Sequence, residues 1–352
     1  MNDPEISPLP GLRTCGCKGI RSCRLCVTSD TKEISIIPRT TFDYCTHCKK
    51  AWHMVNTPEQ QKCNSFHGTF TPQSQENPAA IESPGNCDMQ ASILSKHANN
   101  EVNGFNGEAQ QINSSSGLEA NTSLGVDGRD TRFKSSCSHI ASHNIEFEGI
   151  VILENFITEE EEAILDSAIT ATQFVNSQSG RRKQDFGPKV NFKKQKIRTA
   201  NFTGLPSYSQ FLYQRMKANP HLKDFEPVEL CNLEYCQQRG AHIDAHLDDA
   251  WLWGERLVTI NLLSDSVLTF TLDSEPHVAV RVPLLRRSLI VVSAAARYTW
   301  KHSILPEDVG ERRIAMTFRE LSKEFSSDGS RGQEGAELLK LALTFSGSAV
   351  GS

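Results

Sequence analysis

The sequence predicts an α+β protein centred on a double-stranded β-helix, the two-sheet antiparallel jelly roll, with supporting helices, a Cys-rich N-terminal head and a disordered insert. Three observations predict it. Six short strand-like runs follow one another closely after residue 227: Val228–Tyr235, Arg256–Leu263, Val267–Leu272, His277–Val282, Ser288–Ser293 and Arg313–Leu321. Many short strands at close spacing are the pattern of a two-sheet β architecture. Helix-period patterns come before these runs, not between them. Residues 57–143, rich in Asn, Ser, Gln, Gly and Thr, show no hydrophobic periodicity. Such a composition cannot bury enough surface to offset the entropy of ordering, so this stretch reads as disordered.

The chain divides accordingly into a head at 1–56, an insert at 57–143, a jelly-roll domain at 144–323 and a tail at 324–352. The head packs Cys15, Cys17, Cys23, Cys26, Cys45 and Cys48 into a segment with little apolar core. Its two Cys-x-x-Cys pairs have the knuckle spacing that tetrahedral zinc prefers, and a small unit without a core usually needs such a staple. Which four groups would take Zn(II) is open, with His47 and His53 as further candidates. The competing reading is reduced thiols on an extended chain.

Order resumes with a strand at Phe147–Leu153. Thr158 and Glu161 then form a capping box for a helix running to about Thr172, with Ile164, Leu165, Ala168 and Ile169 on its apolar face. A second helix follows Leu205 and ends near Asn219-Pro220. Past the last strand, a Gly-rich stretch leads to a short helix around Ala336–Thr344.

Composition removes several function classes. The net charge of −5 gives no global nucleic-acid signature. Eleven cysteines, an odd number, without an apolar N-terminal run argue for a reducing compartment, cytoplasmic and nuclear. No apolar run reaches the length of a membrane span.

The chemistry concentrates around Cys231–Arg256. His246-Leu-Asp248 places an imidazole and a carboxylate at i and i+2, on one face of extended backbone. That is two-thirds of a 2-His-1-carboxylate triad, which holds Fe(II) on one side and leaves the other open. His242-Ile-Asp244 offers the same spacing, and Asp249 could exchange with Asp248 by a one-residue slip. His246 and Asp248 lie nearer the strand that starts at Arg256. His302, 54 residues beyond Asp248, follows a strongly apolar strand and can supply the third ligand. Its bland alternative is a core histidine satisfied by hydrogen bonds.

Eleven residues later comes Arg313-Ile-Ala-Met-Thr-Phe-Arg319. The arginines are an even number apart, so they share a strand face. A buried guanidinium is the natural partner for the distal carboxylate of 2-oxoglutarate; structural salt bridges are the alternative. Arg312 lies off that face. Tyr235 and Asn232 could donate to the same co-substrate from a neighbouring strand. The reading is an iron- and 2-oxoglutarate-dependent dioxygenase that consumes O2.

Residues 181–198 carry eight basic residues against one acid, with Phe186 and Phe192 interleaved and a Gly187-Pro188 turn. They read as a substrate-facing flap in which Arg181, Arg182, Lys183, Lys189 and Lys193 meet phosphates or an acidic protein surface. The alternative is a solvated basic hairpin.

Four stretches carry a family resemblance: Cys15-Gly-Cys17-Lys-Gly-Ile-Arg, the run Ser179 to Phe192, His246-Leu-Asp248-Asp-Ala-Trp-Leu-Trp-Gly-Glu-Arg, and Arg313 through Arg319. On these the chain resembles the AlkB dioxygenases, over about residues 11–26 and 146–345. The resemblance implies iron on His246, Asp248 and His302, 2-oxoglutarate on Arg313 and Arg319, and oxidative demethylation. For one animal branch it implies monomethyl-lysine of actin, with effects on actomyosin and cytokinesis, and N6-methyladenine in DNA as a further substrate. Two departures stand out. Ala315 occupies a position where the family often has Asn, and the usual Asn-x-Tyr-x-x-Gly is stretched between Asn232, Tyr235 and Gly240. A jelly-roll scaffold that binds partners through its head and basic arm is the competing reading.

Overall fold

Two seven-stranded sheets dominate a computed structural model that describes residues 40–53 and 143–350. In spatial order, the first sheet runs β10 (Ile243–His246), β15 (Lys301–Ile304), β12 (Ser266–Thr271), β13 (Val278–Leu284), β1 (Thr40–Cys45), β2 (Lys50–His53) and β3 (Asn144–Glu146). The second runs β4 (Ile150–Leu153), β14 (Leu289–Val292), β11 (Trp253–Leu262), β16 (Arg312–Leu321), β9 (Pro227–Cys236), β6 (Arg182–Phe186) and β5 (Val175–Asn176). Pairing is antiparallel throughout the second sheet and parallel only at β1–β13 among the described pairs. The predicted jelly roll is therefore present. The core lies where inward-facing residues of both sheets meet, with Phe270, Val280 and Val282 from one and Leu230, Ile260 and Phe318 from the other fully buried.

The apolar runs became strands because they are buried on both faces. Every residue of β14, Leu-Ile-Val-Val, is buried, and such continuous runs mark strands covered on both sides. The first helix, α1 (Glu159–Thr170), begins as its capping box requires. Glu161 N donates to Thr158 Oγ1 at 3.2 Å, and Thr158 N donates back to Glu161 Oε2 at 2.9 Å. Buried Glu162 pins α1 to the sheet: it accepts from Leu263 N at 2.7 Å and pairs with Arg286. The second helix, α2 (Gln210–Lys217), is entered by a 3-10 turn at Ser207–Ser209.

Three boundaries differ from the sequence expectation. The head does not end as a separate unit at residue 56. Residues 40–53 form a β-hairpin that joins the first sheet, burying Phe42, Tyr44 and Ala51, with Cys45 at the end of β1 and Cys48 in the turn. The alternation in Thr-Thr-Phe-Asp-Tyr-Cys was masked by its cysteines. Cys15, Cys17, Cys23 and Cys26 lie outside the described residues, as does nearly all of the predicted insert.

The tail is likewise part of the fold. Helix α4 (Gly332–Ala342) buries Leu338 and Ala342, accepts from Leu205 N at Ala342 O, and packs Gly335 so tightly on Phe325 that a Cβ there would lie 2.0 Å from the Phe325 oxygen. Finally, the basic run is not one flap. Arg182–Phe186 is β6, paired with β9, while β7 (Lys189–Asn191) and β8 (Lys196–Arg198) make a separate two-stranded hairpin.

Candidate active site

The site lies between the sheets, where β10 pairs with β15. His246 stands directly opposite His302 in that ladder, so strand register alone puts the two imidazoles together, with ring centroids 4.4 Å apart. Asp248 follows two residues past the end of β10. One donor atom from each of His246, Asp248 and His302 falls within 4.8 Å of the others, the one such cluster among the described residues. His242 and Asp244, the alternative pair, contact each other at 3.6 Å outside it, and Asp244 is exposed.

Electrostatics give each group the protonation state of a metal donor. Burial lowers the His246 pKa and brings that of His302 down to about 3, so both imidazoles are neutral near pH 7. Burial would raise the Asp248 pKa, but the Arg319 guanidinium and the two imidazoles outweigh it and hold the carboxyl well below the usual range. The Nδ1 of the His302 side chain is buried and has no hydrogen-bond partner among the described residues. A core histidine satisfied by hydrogen bonds is thereby excluded. Two neutral imidazoles and one carboxylate fit Fe(II), which takes such sets with positions left open.

A cavity of about 70 Å³ adjoins these groups, bordered by Tyr235, Thr259, Ala315, Thr317 and both Arg313 and Arg319. The arginines share the strand face, as their spacing predicts, but their situations differ. Arg319 is already engaged: its Nε donates to Asp248 Oδ2 at 3.2 Å and its Nη1 to Glu229 Oε2 at 2.9 Å. Among the described residues Arg313 has no carboxylate partner. It is 2 % exposed, its Nε donates to Asn261 Oδ1 at 2.6 Å, its guanidinium lies 4.8 Å from the Tyr235 ring, and its Nη1 is buried and unpartnered. Burial lowers its pKa. An unpaired buried cation is costly unless an anion meets it, so Arg313 fits the distal carboxylate of 2-oxoglutarate. Arg319 fits a role at the metal end, where it orients Asp248.

Tyr235 borders the pocket as expected. Asn232 does not, because it lies three positions before Tyr235, an odd offset, and strand alternation puts the two on opposite faces. Its amide instead donates to Gln184 Oε1 at 2.9 Å and Tyr208 OH at 2.7 Å. Leu233 is the residue on the pocket face. It stands in register with Ala315, which in turn faces Asn261 on the other side. Asn261 therefore contributes an amide beside the Ala315 position, and sequence reasoning missed it. The available signal was one Asn in the apolar run Val258-Thr-Ile-Asn-Leu-Leu. Asn261 is fully buried and spends its own Nδ2 on the carbonyls of Ser264, Leu284 and Leu285, which fixes the oxygen that holds Arg313.

The basic residues at 181–198 split. Arg182 pairs with buried Glu234 at 2.6 Å, Lys183 pairs with Asp185, and Arg181 is 7 % exposed. Half of the predicted flap is thus committed to the fold. Lys189 and Lys193 are exposed on the β7–β8 hairpin, beside Phe192. Arg312, off the pocket face, pairs with Glu234 and Asp166.

No protein-family model matches the chain. Individual proteins do. A human alpha-ketoglutarate-dependent dioxygenase, alkB homolog 4, is 47% identical over an alignment of 233 residues, covering 58% of this chain and 77% of the human protein.

The chain belongs to the AlkB family of alpha-ketoglutarate-dependent dioxygenases.

The mouse alkB homolog 4 is 44% identical, across 58% of this chain and 78% of its own length. A Caenorhabditis elegans protein named DNA N6-methyl adenine demethylase is 40% identical, across 58% of this chain and 72% of its own. An AlkB-family enzyme uses Fe(II), 2-oxoglutarate and O2, and the cluster, the cavity and Arg313 match those requirements. No helix among the described residues is long and apolar enough to cross a membrane.

Proposed function

We propose that this AlkB enzyme demethylates nitrogen oxidatively, and that its natural substrate is monomethyl-lysine in a protein, actin being the candidate that the sequence resemblance implies. The observation that carries the chemistry is the pairing of a metal-ready His246–Asp248–His302 cluster with a buried, uncompensated Arg313 across one cavity. His246, Asp248 and His302 would hold the iron, which with 2-oxoglutarate and O2 would supply the oxidation of an N-methyl carbon, so the expected products are the demethylated amine, formaldehyde, succinate and carbon dioxide. The chain's own contribution is placement. His246 and His302 present lone pairs at neutral pH, Arg319 fixes the Asp248 carboxylate, and Arg313 with Asn261 would anchor the far end of 2-oxoglutarate. Leu257, Ile290 and Val292 on the cavity wall lower the local dielectric, which strengthens these polar contacts.

The exposed Lys189, Lys193, Lys194, Lys196 and Arg198 around Phe192 suit an acidic protein surface. The expected site of action is the cytoplasm and nucleus. A second reading, N6-methyladenine in DNA, is favoured by the name of the worm relative and by the same basic hairpin. A single experiment tests both: succinate and formaldehyde release from purified protein given Fe(II), 2-oxoglutarate, O2 and either monomethyl-lysine actin or N6-methyladenine DNA. Stoichiometric formaldehyde with actin and none with DNA is expected. The reverse would establish the second reading. Neither product with either substrate would favour a binding scaffold.

A further inference from the structure

Strand pairing fixes two of the three groups at the candidate metal centre and leaves the third to other devices. His246 and His302 are in register across β10 and β15. Asp248 lies beyond β10, in the loop that ends when β11 begins at Trp253. No ladder among the described residues holds it, and its carboxylate accepts a hydrogen bond from the side, from Arg319.

The backbone of Asp248 is gripped by a different guanidinium. Arg297 Nη1 donates to the carbonyl oxygen of Asp248 at 2.9 Å, and Nη2 donates to that of Trp253 at 3.3 Å. Neither acceptor is a carboxylate. Arg297 is 1 % exposed, its Nε is buried and unpartnered, and its guanidinium lies 5.0 Å from the Tyr298 ring. Burying a cation whose acceptors are neutral carbonyls costs more than an apolar side chain of that volume would. Filling space does not account for it. Its position does: Arg297 belongs to the short helix α3 (Ala294–Tyr298), from which the chain runs directly into β15 and His302. A single side chain thus ties the segment bearing one donor to both ends of the loop bearing another.

We infer that Arg297 is a positioning residue for the metal centre, holding the Asp248 backbone so that its carboxylate is in place before a metal arrives. The inference rests on the proposed reading that His246, Asp248 and His302 take a metal. Side-chain and main-chain atoms of Asp248 are then clamped by separate cations, Arg319 from the second sheet and Arg297 from the helix before β15.

The test uses full-length, metal-free protein titrated with Co(II) without oxygen, following visible d–d absorption, with melting temperatures measured in chelator. Arg297→Met removes both donors. Arg281→Met is the control, since it breaks a structural ion pair with Asp308 (2.7 Å) that touches neither the loop nor the donors. We expect Arg297→Met to weaken Co(II) binding about 10–100-fold, the usual cost of losing a group that orients a metal ligand. Arg297→Lys should regain part of that, and Arg281→Met should leave Co(II) affinity unchanged while lowering the melting temperature. Unchanged Co(II) affinity in Arg297→Met, or an equal loss in Arg281→Met, overturns the inference. Should Arg297→Met not fold, Arg297→Lys and Arg297→Gln decide by the same criterion. Wild-type protein that takes up no Co(II) removes the metal reading and the inference together.

Discussion

Arg313→Met should do two opposite things. In the free protein it removes a buried cation that no carboxylate compensates, while losing one hydrogen bond to Asn261 and the contact with Tyr235. A buried charge without a counter-ion is a net cost to folding, so the free variant should melt at or above the wild-type temperature. With 2-oxoglutarate the sign reverses. Truncating one partner of a buried, hydrogen-bonded charge pair costs about 2–5 kcal/mol, which converts to roughly 30-fold to several thousand-fold in co-substrate affinity. Wild-type protein with 2-oxoglutarate at about 100 times the dissociation constant gains about 2.7 kcal/mol, roughly 5–11 °C for a folded unit the size of residues 143–350. Thermal melts with Mn(II) under argon, with and without 2-oxoglutarate, read both effects, and succinate release gives the KM. The reasoning is refuted if Arg313→Met loses more than about 2 kcal/mol of metal-free stability, in the range of a broken structural pair, yet keeps the 2-oxoglutarate shift.

Three further outcomes follow from the same geometry. The His302 pKa is held at about 3, chiefly by burial, against about 6.5 in an unfolded chain. The unfolded state therefore binds more protons between those values, so the metal-free protein is most stable above pH 6.5. It should lose up to about 1.4 kcal/mol per pH unit as the pH falls toward 3, and His302→Gln should flatten that slope in melts across pH 4–7. Asn232→Ala should cost about 1–3 kcal/mol of stability, because it breaks the bonds to Gln184 and Tyr208, while leaving the KM for 2-oxoglutarate unchanged. A raised KM would put Asn232 in the pocket after all. Replacing Lys189, Lys193 and Lys196 with Glu should weaken binding of an acidic substrate and reduce its salt dependence, while substrate-free 2-oxoglutarate turnover is unaffected; an unchanged salt slope would rule the hairpin out of the contact.

Some of this was legible in the sequence because local pattern and tertiary outcome coincide. β14 and β12 are buried at every residue, so their composition announces them. His246 and His302 could be matched because each sits at a short strand with a strong apolar neighbour. The parity of Arg313 and Arg319 was enough to put both at one cavity. The same parity rule, applied to Asn232 and Tyr235, would have separated them. What the sequence hid depends on partners far along the chain. Arg182 looks like flap charge until β6 pairs with β9 and brings Glu234 beneath it. Residues 40–45 look like a metal-binding head until β1 finds β13. Arg297 and Asn261 are single polar residues in apolar surroundings, which signals that something specific holds them but not what they hold.

The edge of the first sheet has a consequence for how this protein tolerates change. β2 ends at His53 and β3 begins at Asn144, and the two pair antiparallel, with His53 N donating to His143 O at 3.0 Å. Chain exit and re-entry are thus adjacent, like the two posts of a gate. The described chain leaves at His53 and returns at His143, on the outermost pair of strands of that sheet. For a loop closed between fixed posts, doubling the length costs only about 0.6 kcal/mol. The catalytic scaffold is therefore almost indifferent to what the gate carries. A short turn, the present segment or a grafted domain could occupy the same doorway, leaving lineages and engineers free to rewrite it without disturbing the iron side of the fold.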